Sequence, residues 1–253
     1  MSGWVVARPI AHRGLHDFAK RRVENTLDAA QAAIAGGFAI ECDIQRSRDG
    51  EAMVFHDETL GRLTDAPGRL DALDCADVAR LTLRGTDARV PTLPAFLSAI
   101  AGRTPLVCEV KSEFNGDMRL ADRACEIAAA YRGDLAFKSF DPDVIAHLRR
   151  SAPLDGLGRP CPLGMVAMAA YTPEDFPGMS EAQRIDCAAF LHVVRTAPDF
   201  LSFAVDDLPH PTPALLRALR RLPVMAWTVR RPEQLEVAAK YADQVVFEGG
   251  GRP

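Results

Sequence analysis

The residues of this 253-residue chain whose types and spacing could do chemistry together are His12-Arg13, Glu41 with Asp43, His56, and Glu109 with Lys111. Glu41, Asp43 and Glu109 sit in otherwise apolar, β-branched runs, where a charge is costly unless it is paired or metal-bound. Three carboxylates brought together repel one another, and a hard divalent cation relieves that repulsion. An oxygen-only ligand set suits Mg2+ or Ca2+, with Mn2+ also compatible, and not a thiolate zinc site. Cys42 and Cys108 alternate with the acids, so in a strand they point to the opposite face. Arg13 and Lys111 add two cations that form an anion pocket, which a phosphate fits. The plainer alternative is that they pair with the acids as structural salt bridges. Imidazole exchanges protons near neutral pH, so His12 and His56 can divide the giving and taking of a proton. His16, His147, His192 and His210 read as structural.

These residues need elements to position them, and the chain alternates two kinds. Strands are expected at Val5–Ala11, Phe38–Ile44, Ala52–Phe55, Pro105–Val110, Leu135–Ser139, Leu163–Ala167, Leu201–Val205, Val224–Val229 and Gln244–Phe247. Helices are expected at Thr26–Ala35, Leu93–Ala101, Met118–Tyr131, Pro142–Arg150, Glu181–Val194, Pro213–Arg220 and Pro232–Lys240, with Asn25 or Thr26 capping the first. Asp49–Gly50 marks a tight hairpin, so Ala52–Phe55 runs antiparallel to its predecessor. A two-residue turn there sets Arg48 against Glu51 and Asp43 against His56, bringing Glu41, Asp43 and His56 to one face. Eight parallel strands remain, the arithmetic of an α/β, TIM-like (β/α)8 barrel. Every candidate residue then falls at a strand's C-terminal end, the rim where barrel enzymes carry their sites. Ala169–Met179, with Tyr171 and Phe176, follows such an end and is expected to form a mobile cover over the mouth.

Composition excludes several classes. With 48% hydrophobic and 25% charged residues the chain is globular rather than disordered. A net charge of −4 argues against a general nucleic-acid binder. No apolar run nears the roughly 18 residues of a membrane span, so no stable membrane insertion is expected. The first residues lack a signal-peptide pattern and no cysteines form a CxxC pair, so a cytoplasmic protein with reduced thiols is expected. No feature specifies an oligomeric state.

Ala11-His12-Arg13-Gly14, Glu24-Asn25-Thr26, Glu41-Cys42-Asp43 and Asp49-Gly50 through Val54-Phe55-His56-Asp57 occur in that order. Val90-Pro91-Thr92-Leu93, Glu109-Val110-Lys111, Ser139-Phe140-Asp141 and Trp227-Thr228-Val229 follow. This ordered set resembles the signature of the glycerophosphodiester phosphodiesterase family over nearly the whole chain. The resemblance implies one domain, 1–253, with a small insertion at Glu58–Arg103 before the third parallel strand. It implies a divalent metal on Glu41, Asp43 and Glu109, and phosphate contacts from Arg13 and Lys111. His12 and His56 would be the acid and base. Glu24 would orient Arg13, Asn25 would cap the helix, and Trp227 would support the site. The expected reaction cleaves a small glycerophosphodiester to glycerol 3-phosphate and an alcohol, through water or the glycerol 2-hydroxyl. A lysophospholipase D-like or sphingomyelinase D-like enzyme, or a silent phosphodiester-binding protein, are the rivals. One departure stands out: where the family often has Ile-Thr-Asp-x-Pro, this chain has Val246-Phe247-Glu248 followed by three glycines.

Overall fold

Eight parallel strands close into a barrel, and one antiparallel strand hangs from its second member. The computed structural model describes residues 3–151, 154 and 160–253. The strands are β1 (Ile10–Ala11), β2 (Ala39–Arg46), β3 (Ala52–Val54), β4 (Leu106–Val110), β5 (Leu135–Ser139), β6 (Leu163–Ala167), β7 (Phe200–Ala204), β8 (Val224–Val229) and β9 (Gln244–Phe247). Their order is β1-β9-β8-β7-β6-β5-β4-β2-β3, and β1 also pairs with β2, which closes the ring. The described helices are α1 (Leu27–Ala35), α2 (Cys75–Val78), α3 (Leu93–Ile100), α4 (Arg119–Ala130), α5 (Pro142–Leu148), α6 (Glu181–Ala188), α7 (Val193–Thr196), α8 (Pro211–Arg220) and α9 (Pro232–Tyr241).

The main core lies between the sheet and the helices: Ile40, Cys42 and Cys108 face Leu97, Ile100 and Ala124 there. Inside the barrel, alternation builds two storeys. Ala39, Val107 and Ala136 join Phe200 and Met225 in an apolar floor. Two residues further along their strands, on the same face, come Glu41, Glu109 and Lys138. The charged residues therefore stand on an apolar base.

Several expectations need correction. Val5 and Val6 lie in a 3-10 turn (Gly3–Val6), and the first strand begins only at Ile10, after Pro9. The span expected as one helix from Glu181 to Val194 is two, interrupted where Phe190 takes a left-handed φ of 56°. Thr26, not Asn25, caps α1, its hydroxyl accepting the Ala29 N–H. The hairpin register is off by one: Ile44 pairs with Val54, and Phe55 N–H donates to the Asp43 carbonyl. Three residues form the turn, because Gly50 at φ 96° adds a left-handed step. Residues 58–103 divide between two cores. Leu60, Leu63, Leu70, Val78, Leu83 and Val90 pack as a satellite over Met53 and Phe55, whereas Leu93, Phe96, Leu97 and Ile100 of α3 belong to the barrel's own core.

Candidate active site

β2, β4 and β5 carry three acids and a lysine into the upper storey, and the turn after β1 lowers two more groups onto them. One carboxylate oxygen each from Glu41, Asp43 and Glu109 lies within 4.8 Å of the others. All three acids are buried. Lys111 Nζ stands 2.9 Å from Asp43 Oδ1 and 2.5 Å from Glu109 Oε1. Lys138 Nζ stands 2.9 Å from Glu41 Oε1 and 3.2 Å from Glu109 Oε2. Arg13 Nε lies 3.3 Å from Asp43 Oδ2, and the Arg13 backbone N–H donates to Glu41 Oε2 at 3.0 Å. That backbone contact depends on the turn at Gly14, whose φ is 77° and where a Cβ would meet the Ala29 backbone at 2.9 Å.

The charges hold one another ionised. Burial alone would raise Asp43, but Lys111, His56, Arg13 and His12 together hold it well below the usual carboxylate range. Burial likewise opposes ionisation of Glu109, and Lys111 and Lys138 outweigh it. The same pairs keep both lysines above their ordinary pKa, against the burial of Lys138 and the partial burial of Lys111.

Each histidine is backed by a carboxylate, and each carboxylate by an arginine. His12 Nδ1 bonds Glu248 Oε1, whose partner oxygen accepts from Arg230 Nε at 2.9 Å. His12 Nε2 therefore faces the acids, 3.8 Å from Glu41 Oε2. His56 Nδ1 lies 2.7 Å from Asp57 Oδ1, and Asp57 accepts from Arg62 at 2.5 and 3.1 Å. Arg62 also grips Glu24 at 2.7 and 3.0 Å, and Glu24 accepts from Arg13 at 2.7 Å.

Of the residues singled out in the sequence, His12, Arg13, Glu24, Glu41, Asp43, His56, Glu109 and Lys111 come together. Trp227 stands on the wall of the adjoining cleft, its indole N–H donating to the Ser202 carbonyl at 2.9 Å and its ring edge-on to Phe140. That cleft of about 1150 Å³ runs outward from Glu109, Lys111 and His56. Phe114, Phe140 and Phe176 form its apolar wall. The Ala169–Met179 segment does reach the mouth: Tyr171 and Met179 are buried, Phe176 packs against Phe140, and Thr172, Pro173, Glu174 and Asp175 are exposed.

Sequence reasoning missed Arg62 and Lys138, and the contacts of Asn25 and Glu248. Asn25 clasps Asp43, donating through Nδ2 to Oδ2 at 3.0 Å and accepting the Asp43 N–H at 3.3 Å. Arg62 and the backing role of Glu248 depend on long-range closure and left no local signal. Lys138 did leave one: a lysine inside Leu135-Ala-Phe-Lys-Ser139 is as anomalous as Glu41 in its own strand.

The acids fit a divalent cation on their chemistry. They offer oxygen alone, and Cys42 and Cys108 are turned into the helix-facing core.

Comparison with known proteins agrees with this arrangement. The profile of the glycerophosphoryl diester phosphodiesterase family matches residues 12–247. The chain belongs to this family. A probable glycerophosphodiester phosphodiesterase 2 of Mycobacterium tuberculosis is 38% identical over 92 residues, covering 36% of this chain and 34% of that protein. Glycerophosphodiester phosphodiesterase 1 of Rattus norvegicus is 34% identical over 154 residues, covering 56% of this chain and 45% of the relative. The matched regions thus span less than half the length of these curated family members. Among solved structures, a phosphodiesterase of Oleispira antarctica in complex with the product sn-glycerol-3-phosphate shares the fold, with a TM-score of 0.76 at 21% identity over 96% of this chain and 92% of that one. A putative glycerophosphoryl diester phosphodiesterase of Silicibacter pomeroyi gives 0.74 at 24% identity, over 96% and 90%. No helix among the described residues of this family member is long and apolar enough to cross a membrane.

Proposed function

We propose that the protein hydrolyses small glycerophosphodiesters to glycerol 3-phosphate and an alcohol, with a divalent cation held by Glu41, Asp43 and Glu109. The observation that carries this reading is the buried three-acid cluster flanked by two histidines, each backed by its own carboxylate. When bound, the cation supplies charge neutralisation at the phosphate. Arg13 and Lys111 add their own charges from its other sides and fix its orientation. His12 presents Nε2 towards the acids from a buried position and removes the proton of the attacking hydroxyl. His56 is more exposed, lies on the cleft side, and gives a proton to the leaving alcohol. Glu248 and Asp57 each hold the Nδ1 side of their imidazole and so leave Nε2 for the reaction. Cys42, Cys75, Cys108, Cys125 and Cys187 form no disulfide, in keeping with a cytoplasmic setting.

Hydrolysis of glycerophosphocholine, followed as glycerol 3-phosphate with and without EDTA, tests the reading. Turnover abolished by EDTA and restored by a divalent cation supports it. No turnover of any glycerophosphodiester at saturating cation defeats it, and turnover of lysolipid alone favours the lipid-directed rival.

A further inference from the structure

We propose that the cleft beside the acid cluster is a subsite for a quaternary-ammonium headgroup, built from the rings of Phe114, Phe140, Phe176 and Trp227 and from carboxylates at its outer rim. The preferred diester is then one whose leaving alcohol is choline or a close analogue. The inference rests on the hydrolytic reading above and adds which alcohol leaves.

The four rings are half-buried, and all of them line the cleft. Each is inclined to its neighbour rather than stacked on it. Phe140 meets Trp227 at 87° and Phe176 at 56°, with centroids 5.4 Å apart in both pairs. Phe114 meets Phe176 at 83° and 6.1 Å. Inclined rings turn their faces in several directions, which suits a round group better than a flat one. Those faces carry the negative part of the ring quadrupole and attract a cation, most strongly where water is excluded. The wall is drawn from separate loops that are held together. Gly178 lies so close to the Glu113 carbonyl oxygen that a Cβ would approach it to 2.5 Å, and Gln183 Nε2 donates to the Phe114 carbonyl at 3.0 Å. Phe114 itself holds a left-handed φ of 57°, uncommon for a bulky residue.

Charge changes sign along the cleft. Lys111 stands at its inner end, on the side of the acid cluster. At the rim one guanidinium, Arg69, is shared by Glu58 at 2.8 Å, Asp71 at 2.9 Å and Glu113, which leaves two negative charges uncompensated there. Asp175, exposed beside Phe176, accepts the Thr172 hydroxyl at 2.8 Å and has no ion-pair partner among the described residues. Arg46 and Arg119 both face Asp117, and the rim as a whole stays negative. A zwitterion matches this gradient, with its phosphate inward and its cation outward. A neutral polyol gains nothing from the rim, and an anionic headgroup is repelled by it. The cleft receives the headgroup rather than the glycerol because His56, the proposed donor to the leaving alcohol, stands on the cleft side.

The first test needs no turnover. Choline, and its uncharged carbon isostere in which a tert-butyl group replaces trimethylammonium, are titrated calorimetrically into wild type, Phe176→Leu and Asp175→Asn. Wild type should bind choline roughly tenfold more tightly than the isostere, the scale of a cation held over aromatic faces. Both substitutions should shrink that ratio. The second test compares kcat/KM for glycerophosphocholine and glycerophosphoglycerol at saturating divalent cation, and wild type should favour the choline diester by a similar factor. A wild type that fails to bind choline, or binds it no better than the isostere, overturns the proposal without reference to any variant, so a Phe176→Leu protein that fails to fold does not shield it. Discrimination that survives unchanged in Asp175→Asn and in a folded Phe176→Leu overturns it too. If choline is preferred but no glycerophosphodiester is turned over, the hydrolytic reading fails and the subsite stands. If both diesters are turned over equally well, the hydrolytic reading stands and the headgroup subsite is wrong.

Discussion

Glu248→Gln isolates the contribution of the carboxylate behind His12. Glu248 places one oxygen on His12 Nδ1 and the other on Arg230. Burial works against its charge, yet His12 and Arg230 hold it ionised far below the usual carboxylate range. If His12 takes the proton as proposed, that anion meets the new positive charge. A glutamine keeps the shape but removes the charge, and with its amide turned it favours the wrong tautomer. A hydrogen bond to a charged group is worth about 1.5–3 kcal/mol. At about 1.4 kcal/mol per decade, kcat should fall roughly 10- to 150-fold. Glu248 lies behind the imidazole from Glu41, so KM and metal affinity should stay near wild type. Steady-state hydrolysis of glycerophosphocholine, with calorimetric metal binding on the same sample, gives all three quantities. A nitrophenyl leaving group should not restore the rate, because the base is what has been weakened. A variant within twofold of wild type, or one that loses metal affinity in step with kcat, would show that Glu248 only props the last strand.

Glu109→Gln should weaken metal binding and remove most activity, and calorimetry beside the rate assay checks both together. His56→Ala should lower turnover of a natural diester by roughly 10²–10⁴-fold, the usual scale for one proton-transfer group. A nitrophenyl diester should recover most of that loss, and failure to recover it would contradict the assignment of His56 as the acid. His192 is 2% exposed, and burial lowers its pKa from 6.5 to about 4, with Arg195 assisting and Asp186 and Asp143 opposing. The unfolded chain therefore takes up a proton near 6.5 that the folded protein refuses until about 4. Stability from this group is complete above pH 6.5 and drains away as the pH falls towards 4, by about 2 kcal/mol between pH 7.5 and 5. Urea unfolding at those two pH values should show a smaller difference in His192→Gln than in wild type.

The barrel and its acids were legible because both depend on local alternation. Glu41 and Asp43 break an apolar run at a spacing of two, and a charge on the inner face of a strand needs a partner. Lys138 obeys the same rule, breaking the apolar run of Leu135–Ser139. The hairpin register was not legible, since nothing local says that Gly50 adds a third turn residue. The partner of His12 was out of reach for a different reason. It lies 236 residues away, and only barrel closure, with Ala11 paired to Phe247, brings Glu248 beside it.

The shortest strand joins the ring to itself. Two residues of β1 carry the pairing on both sides, with Ile10 and Ala11 matched to Ala39 and Ile40 on one flank and to Val246 and Phe247 on the other. By contrast, β2 and β4 are matched over five residue pairs. The barrel therefore has a seam, and the seam delivers His12 and Arg13. Fraying there would separate His12 from Glu248 and the Arg13 guanidinium from Asp43 while the other strands remain bonded. Moderate denaturant should accordingly abolish the proposed hydrolysis before circular dichroism reports any loss of helix. Hydrogen exchange should find the Ile10 and Ala11 amides opening ahead of those in β4 and β5.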